Sequence, residues 1–237
     1  MFVLLTLSAL AGDQHLVYDL SVNGEVVGTR DVTIRYYARA GGERRVVEAV
    51  TQVQLLNNRL DARTVGQSNP RGASFSTAAE INGDLLHIQG VQLPEGDWRL
   101  ELADGKTVNE QTVRGTTVFT SMDLVDPGRT SLLAGTGSGA LVFTETGDVY
   151  TGSLGAGVAA TVTIGTRRVP VTRYGFTTST GTQARFDVDG EGLLLVSEMS
   201  WFGVPITATL RTLPEARDFG TVDTLEMLGT PVGEEAL

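Results

Sequence analysis

The sequence predicts an all-β fold: a curved antiparallel sheet, half-barrel or barrel-like, with at most one short helix near 121–134. Three observations predict it. Apolar residues recur with period two along most of the chain. Turn-forming residues return at short, regular intervals between these runs. Glycine supplies 29 of the 237 residues, which suits a chain that reverses often.

The elements follow in order. Leu16, Tyr18, Leu20 and Val22 share one face of a first strand. Asn23-Gly24 then fits a two-residue hairpin turn, because both central positions of a type I′ turn need positive φ. The second strand sets Val32, Ile34 and Tyr36 on one face against Thr33 and Arg35 on the other. After Ala40-Gly41-Gly42, a third strand alternates Val47, Ala49, Thr51, Val53 and Leu55 with Glu48, Gln52 and Gln54. Turns at Asn57-Asn58, Asn69-Pro70, Asn82-Gly83, Pro94-Glu95-Gly96 and Asp104-Gly105 punctuate further short strands, among them 84–93 and 98–102. Helix is expected only within 121–134, where Asp126-Pro127 can cap a short turn. The run Gly135-Thr136-Gly137-Ser138-Gly139 reads as a flexible connector between two halves of one β domain, 12–213. Strands resume at 141–146, 158–164, 168–174, 184–188, 193–199 and 206–210. The acidic tail, 214–237, is expected outside the core.

Composition bounds the function. The chain has no cysteine, which excludes disulfides, cysteine-zinc sites and a cysteine nucleophile. A formal net charge of −10 repels phosphate backbones, so a nucleic-acid partner is not expected. Phe2 to Ala11 is an apolar run that ends in Ala9-Leu10-Ala11, the small-x-small pattern of a signal-peptide cleavage site. This predicts a leader over 1–11 and an exported mature chain in the periplasm or at the cell surface; the alternative is a first β-strand. No segment has the roughly 20 apolar residues that a transmembrane helix needs.

Local motifs resemble known families. The opening Val17-Tyr18-Asp19-Leu20-Ser21-Val22-Asn23-Gly24-Glu25-Val26-Val27-Gly28 is similar to the first hairpin of the exported bacterial families of unknown function DUF6134 and DUF3108. Met122-Asp123-Leu124-Val125-Asp126-Pro127 resembles their central segment. Phe186-Asp187-Val188-Asp189-Gly190-Glu191-Gly192-Leu193-Leu194 resembles their late hairpin, and Val169-Pro170-Val171 fits as well. The resemblance implies a periplasmic or surface β half-barrel and brings no catalytic residues with it.

Candidate chemistry is sparse. Asp187, Asp189, Glu191 and Glu198 have the spacing of a calcium loop, with Gly192 at its sixth position. The flanks read as strands rather than helices, so a plain hairpin turn is the favoured reading and no metal or other cofactor is expected. His15 and His87 have no ligand spacing, and no G-x-S-x-G elbow frames a serine. The carboxylate pairs Glu80/Asp84 and Glu145/Asp148 flank turns, where solvated acids are routine. The remaining candidates are apolar: Tyr18, Leu20, Val32, Ile34, Tyr36, Val53, Trp98 and Trp201 would line a concave face able to hold an apolar or lipid-like molecule. Two other functions compete with such a carrier: a structural or interaction protein of the envelope with a filled core, and, third, a hydrolase.

Overall fold

The computed structural model describes residues 13–39 and 42–214, so the expected leader and the tail beyond Pro214 lie outside the described residues. The first half is a meander of eight strands: β1 (Gln14–Val22), β2 (Glu25–Arg39), β3 (Gly42–Leu55), β4 (Asn58–Asn69), β5 (Gly72–Ile81), β6 (Asp84–Gln92), β7 (Trp98–Ala103) and β8 (Val108–Val113). Then come β9 (Thr117–Thr120), the single helical turn α1 (Ser121–Val125) and a 3-10 turn, Thr130–Ala134. The second half holds β10 (Gly137–Val142), β11 (Val149–Leu154), β12 (Val158–Ile164), β13 (Arg167–Thr178), β14 (Gln183–Val188), β15 (Leu194–Trp201) and β16 (Val204–Leu210).

All sixteen described strands belong to one sheet, and both halves share it. Its path runs from β8 back through β1, crosses to β16, and continues through β15, β14, β13, β11 and β10 to β9, with β12 paired to β13 alone. The pairing is antiparallel wherever a short turn joins the strands. Asn23 (φ 51°) with Gly24 (φ 85°) and Asn82 (φ 55°) with Gly83 (φ 93°) supply the left-handed conformations that such hairpins need. The β3–β4 turn departs from expectation: the left-handed residue is Leu56 (φ 50°), one place before the predicted Asn57-Asn58. The register Leu55↔Asn58 leaves only Leu56 and Asn57 to make that turn.

One pair is parallel. β9 and β10 run side by side from Gly139↔Thr117 to Val142↔Thr120. Parallel neighbours need a crossover, and α1 with the 3-10 turn provides it. This pair is also buried on both faces, unlike a strand at a solvated sheet surface. Phe119 and Leu141 join the main core with Leu16, Tyr18, Ile34 and Phe186. Val118, Ala140 and Val142 face the opposite way into a second cluster with Phe75, Ile88, Trp98, Leu100 and Val113. The sheet therefore rolls rather than closing edge to edge: its β9–β10 end lies inside the curl, against the inner face of β5–β8. The glycine run expected as a connector opens β10 instead. An added Cβ at Gly139 would sit 2.8 Å from the carbonyl oxygen of Thr117, so the close parallel approach, not flexibility, is what requires glycine there.

Candidate functional site

The crossover segment brings polar groups into the barrel. Thr120 caps α1: its hydroxyl accepts from the Asp123 N–H at 3.1 Å, while the Asp123 carboxylate accepts from the Thr120 N–H at 2.8 Å. Every residue of α1 is buried. Ser121, at its start, meets Arg30 of β2 and the turn after β10. Nη2 of Arg30 lies 2.8 Å from Oε1 of Glu145 and donates to the Ser121 carbonyl at 3.3 Å. Oε2 of Glu145 accepts from the Ser121 hydroxyl at 2.7 Å and from the Thr144 hydroxyl at 3.2 Å. The Thr144 N–H donates to Ser121 Oγ at 3.0 Å. The ion pair is thus surrounded by hydroxyls that share the work of solvating the carboxylate. The Arg30 Nε–H has no hydrogen-bond partner in this arrangement.

A second polar group lies at the far end of α1. Asp126 accepts from Arg45 at 3.2 Å, from the Ser68 hydroxyl at 3.1 Å and from the Gly128 N–H at 3.0 Å. Burial pushes its pKa up from the ordinary carboxylate value, and these three partners pull it part of the way back. Beside it Asp123 pairs with Nε of Arg129 at 2.5 Å, and Arg129 reaches Gln92 at 3.4 Å. Ser68, Phe75, Trp98, Thr120, Asp123 and Asp126 border a space of about 20 Å³. That is room for one water molecule.

This arrangement holds structure together and lacks the parts of an acyl-transfer site. Ser121 bonds to a carboxylate already neutralised by Arg30, with no imidazole beside it. His15 is exposed on β1, where it pairs with Asp31 at 2.7 Å, and His87 is on the outer face of β6. Glu145 of the expected Glu145/Asp148 pair is fully buried, while Asp148 bonds to Thr146 in an exposed turn.

The apolar candidates divide between the two cores. Tyr18, Leu20, Val32, Ile34, Val53 and Trp201 lie in the main cluster, and Tyr36 packs against it. Trp98 lies in the second cluster, on the other side of β9–β10. Tyr18 and Ile34 are at most 1% exposed, and the Tyr18 hydroxyl donates to the Leu194 carbonyl at 2.9 Å. Trp201 packs edge-on against Phe143, with ring centroids 5.9 Å apart. A second inner space, near Phe143 and Met199, holds about 20 Å³.

The four calcium-spaced carboxylates do not converge. Asp187 is fully buried and takes two bonds from Arg173, at 2.6 and 3.0 Å. Glu198 pairs with Arg185 at 3.3 Å. Asp189 accepts from the Glu191 and Leu193 N–H groups and so shapes its own turn, from which Glu191 projects. Among the described residues no three His, Cys, Asp or Glu side chains gather as a metal site.

The sequence reading missed the inner polar group, though one signal for it was present. Arg30 falls on the inward parity of β2, in step with Val32 and Ile34. A cation in that register demands a buried anion.

No family model matches the chain, and no curated protein matches it. A solved structure similar to it is the β-barrel-like protein of domain of unknown function DUF1849 from Brucella abortus. The two are 13% identical with a TM-score of 0.52, over 85% of this chain and 96% of that one. At that identity the likeness concerns the fold. That structure carries neither of the family numbers DUF6134 and DUF3108, and the likeness shows a barrel-like β fold for this chain.

Proposed function

We propose that this chain is an exported protein of the bacterial envelope that serves as a structural or interaction module, with a barrel filled by its own residues. One observation carries the reading: β9, α1 and β10 occupy the interior, and both faces of the β9–β10 pair are buried. The two inner spaces hold about 20 Å³ each, and the larger hollows, about 290 and 340 Å³, are open grooves on the outer face of β2–β6. Pockets for drug-sized ligands run to roughly 300–1,000 Å³. Micromolar capture of an apolar molecule is worth about 8 kcal/mol, and a single-water space offers far too little apolar area for it. Export rests on the Ala9-Leu10-Ala11 pattern after the apolar run. Among the described residues no helix is long and apolar enough to cross a membrane.

Titration of the purified protein with the apolar dye ANS tests the filled interior, alongside native mass spectrometry of protein prepared without detergent. The folded protein should leave micromolar dye unbound and fly at the mass of its chain alone. One dye per chain, or a co-purified lipid mass, would restore the carrier reading. N-terminal sequencing of envelope-recovered protein should begin near Gly12.

A further inference from the structure

β12 and the first half of β13 form a two-stranded ribbon. Ile164 and Val171 belong to the main core, with Ala160, Val162 and Val169 packed against it, so one face of the ribbon is fixed on the barrel. Among the described residues β12 pairs with β13 and with no other strand, which leaves its second edge without a described neighbour. The direction of the backbone groups on that edge follows from the neighbours. The Thr178 N–H donates to Thr182 across the β13–β14 turn, and the Gly175 carbonyl accepts from Gly155 on the other side. Even-numbered residues of β13 therefore turn their polar backbone toward β14, and odd-numbered ones toward β12. Pro170, which has no N–H, sits on the even set without loss. Opposite it is Thr161, whose N–H and C=O must point away from β13, together with those of Ala159 and Thr163.

Open edges are usually blunted by charge, proline or a bulge. β12 has none of these: its sequence is Val-Ala-Ala-Thr-Val-Thr-Ile, it pairs without a register shift, and Ala159, Thr161 and Thr163 are exposed. The cations stand next to it. Arg167 and Arg168 lie at the β12–β13 turn, exposed, and neither forms an ion pair with another of the described residues. In a chain of net charge −10, two arginines without a carboxylate partner among the described residues, at one end of an uncharged strand edge, select for acidic partners.

We infer that β12 is a docking edge for an extended acidic segment of another protein, which adds as a strand beside Ala159–Thr163 and sets a carboxylate against Arg167 and Arg168. Main-chain bonds supply the affinity and the arginines set the register and charge preference, as in other strand-addition interfaces. The inference rests on the interaction-module reading and names its surface and the chemistry of its partner.

The probe is a fluorescein-labelled synthetic peptide, Val-Glu-Val-Thr-Val-Glu-Val-Thr, read by fluorescence anisotropy against the full chain. A control peptide carries Lys for Glu. The acidic peptide should bind, and the lysine peptide roughly tenfold or more weaker. Added salt should weaken the acidic complex. Arg167→Glu with Arg168→Glu should cost a similar factor. Thr161→Pro should abolish binding while the thermal melt stays that of the parent, because the lost N–H faces outward. No binding to the folded parent, or binding indifferent to Thr161→Pro, overturns the inference. Binding that appears only after residues 215–237 are removed assigns the edge to the chain's own tail and overturns the partner. A parent dimer that Thr161→Pro converts to monomer assigns it to a second copy, with the same consequence. Dye uptake by the barrel would instead defeat the underlying reading and leave the edge assignment to stand on these peptide results.

Discussion

Arg30 of β2 and Glu145 of the β10–β11 turn meet at 2.8 Å inside the barrel, with side chains 5% and 1% exposed. They join the first half of the chain to the second across its interior. Removing one partner strands a buried charge, which costs about 3–5 kcal/mol. Arg30→Met and Glu145→Leu should each destabilise on that scale in urea unfolding. The double variant should recover most of the loss, because the desolvation penalty of the pair goes with the pair. Additive losses would mean that each side chain acts through other contacts.

Asp126 gives stability a signed dependence on pH. Burial, the largest cause, raises its pKa in the folded chain. Above the ordinary carboxylate value, near 3.9, there is then a window in which the folded chain keeps a proton that the unfolded chain has released. The contribution of this group is fully present below that value and is lost as pH rises through the raised one. Asp126→Asn removes the term. The stability of the parent minus that of the variant should fall as pH rises above about 4. A rise with pH instead would mean that Arg45 outweighs burial.

Asp187 already has its cation, in Arg173. Calcium should therefore leave the melting temperature of the parent unchanged. Asp187→Asn should lower it, by an equivalent of about 1–3 kcal/mol for the loss of charged hydrogen bonds at a partly exposed arginine. A calcium-dependent rise that vanishes in Asp187→Asn would show that the late hairpin binds the ion.

The parts of the fold legible in the sequence are those ruled by nearest-neighbour geometry. Leu16, Tyr18 and Leu20, or Val32 and Ile34, announce their strands because a pleated backbone sends alternate side chains to one side. Asn23-Gly24 and Asn82-Gly83 announce their turns because few other residues accept positive φ. The rolled end was not legible. The strand expected at 141–146 begins earlier, at Gly137, and Phe143 turns the chain by accepting from the Gly147 N–H at 2.8 Å. Glycines that permit close backbone approach read the same as glycines in a loose linker. The polar group was hidden for a related reason: Ser121, Thr144 and Glu145 look like surface residues until Arg30, more than ninety positions away, is placed beside them.

The position of β16 sets the order in which this molecule can be assembled. It fills the gap between β1 and β15, pairing with both, and Arg211 just beyond it reaches back to Asp19. The seam therefore joins the first described strand to the last. A chain emerging from a ribosome or crossing a membrane keeps the edge of β1 exposed until residue 210 arrives. Contacts of such long sequence separation are slow to form. The meander β1–β8 can pair hairpin by hairpin as it is made, and the β1–β16 seam is the contact that has to wait.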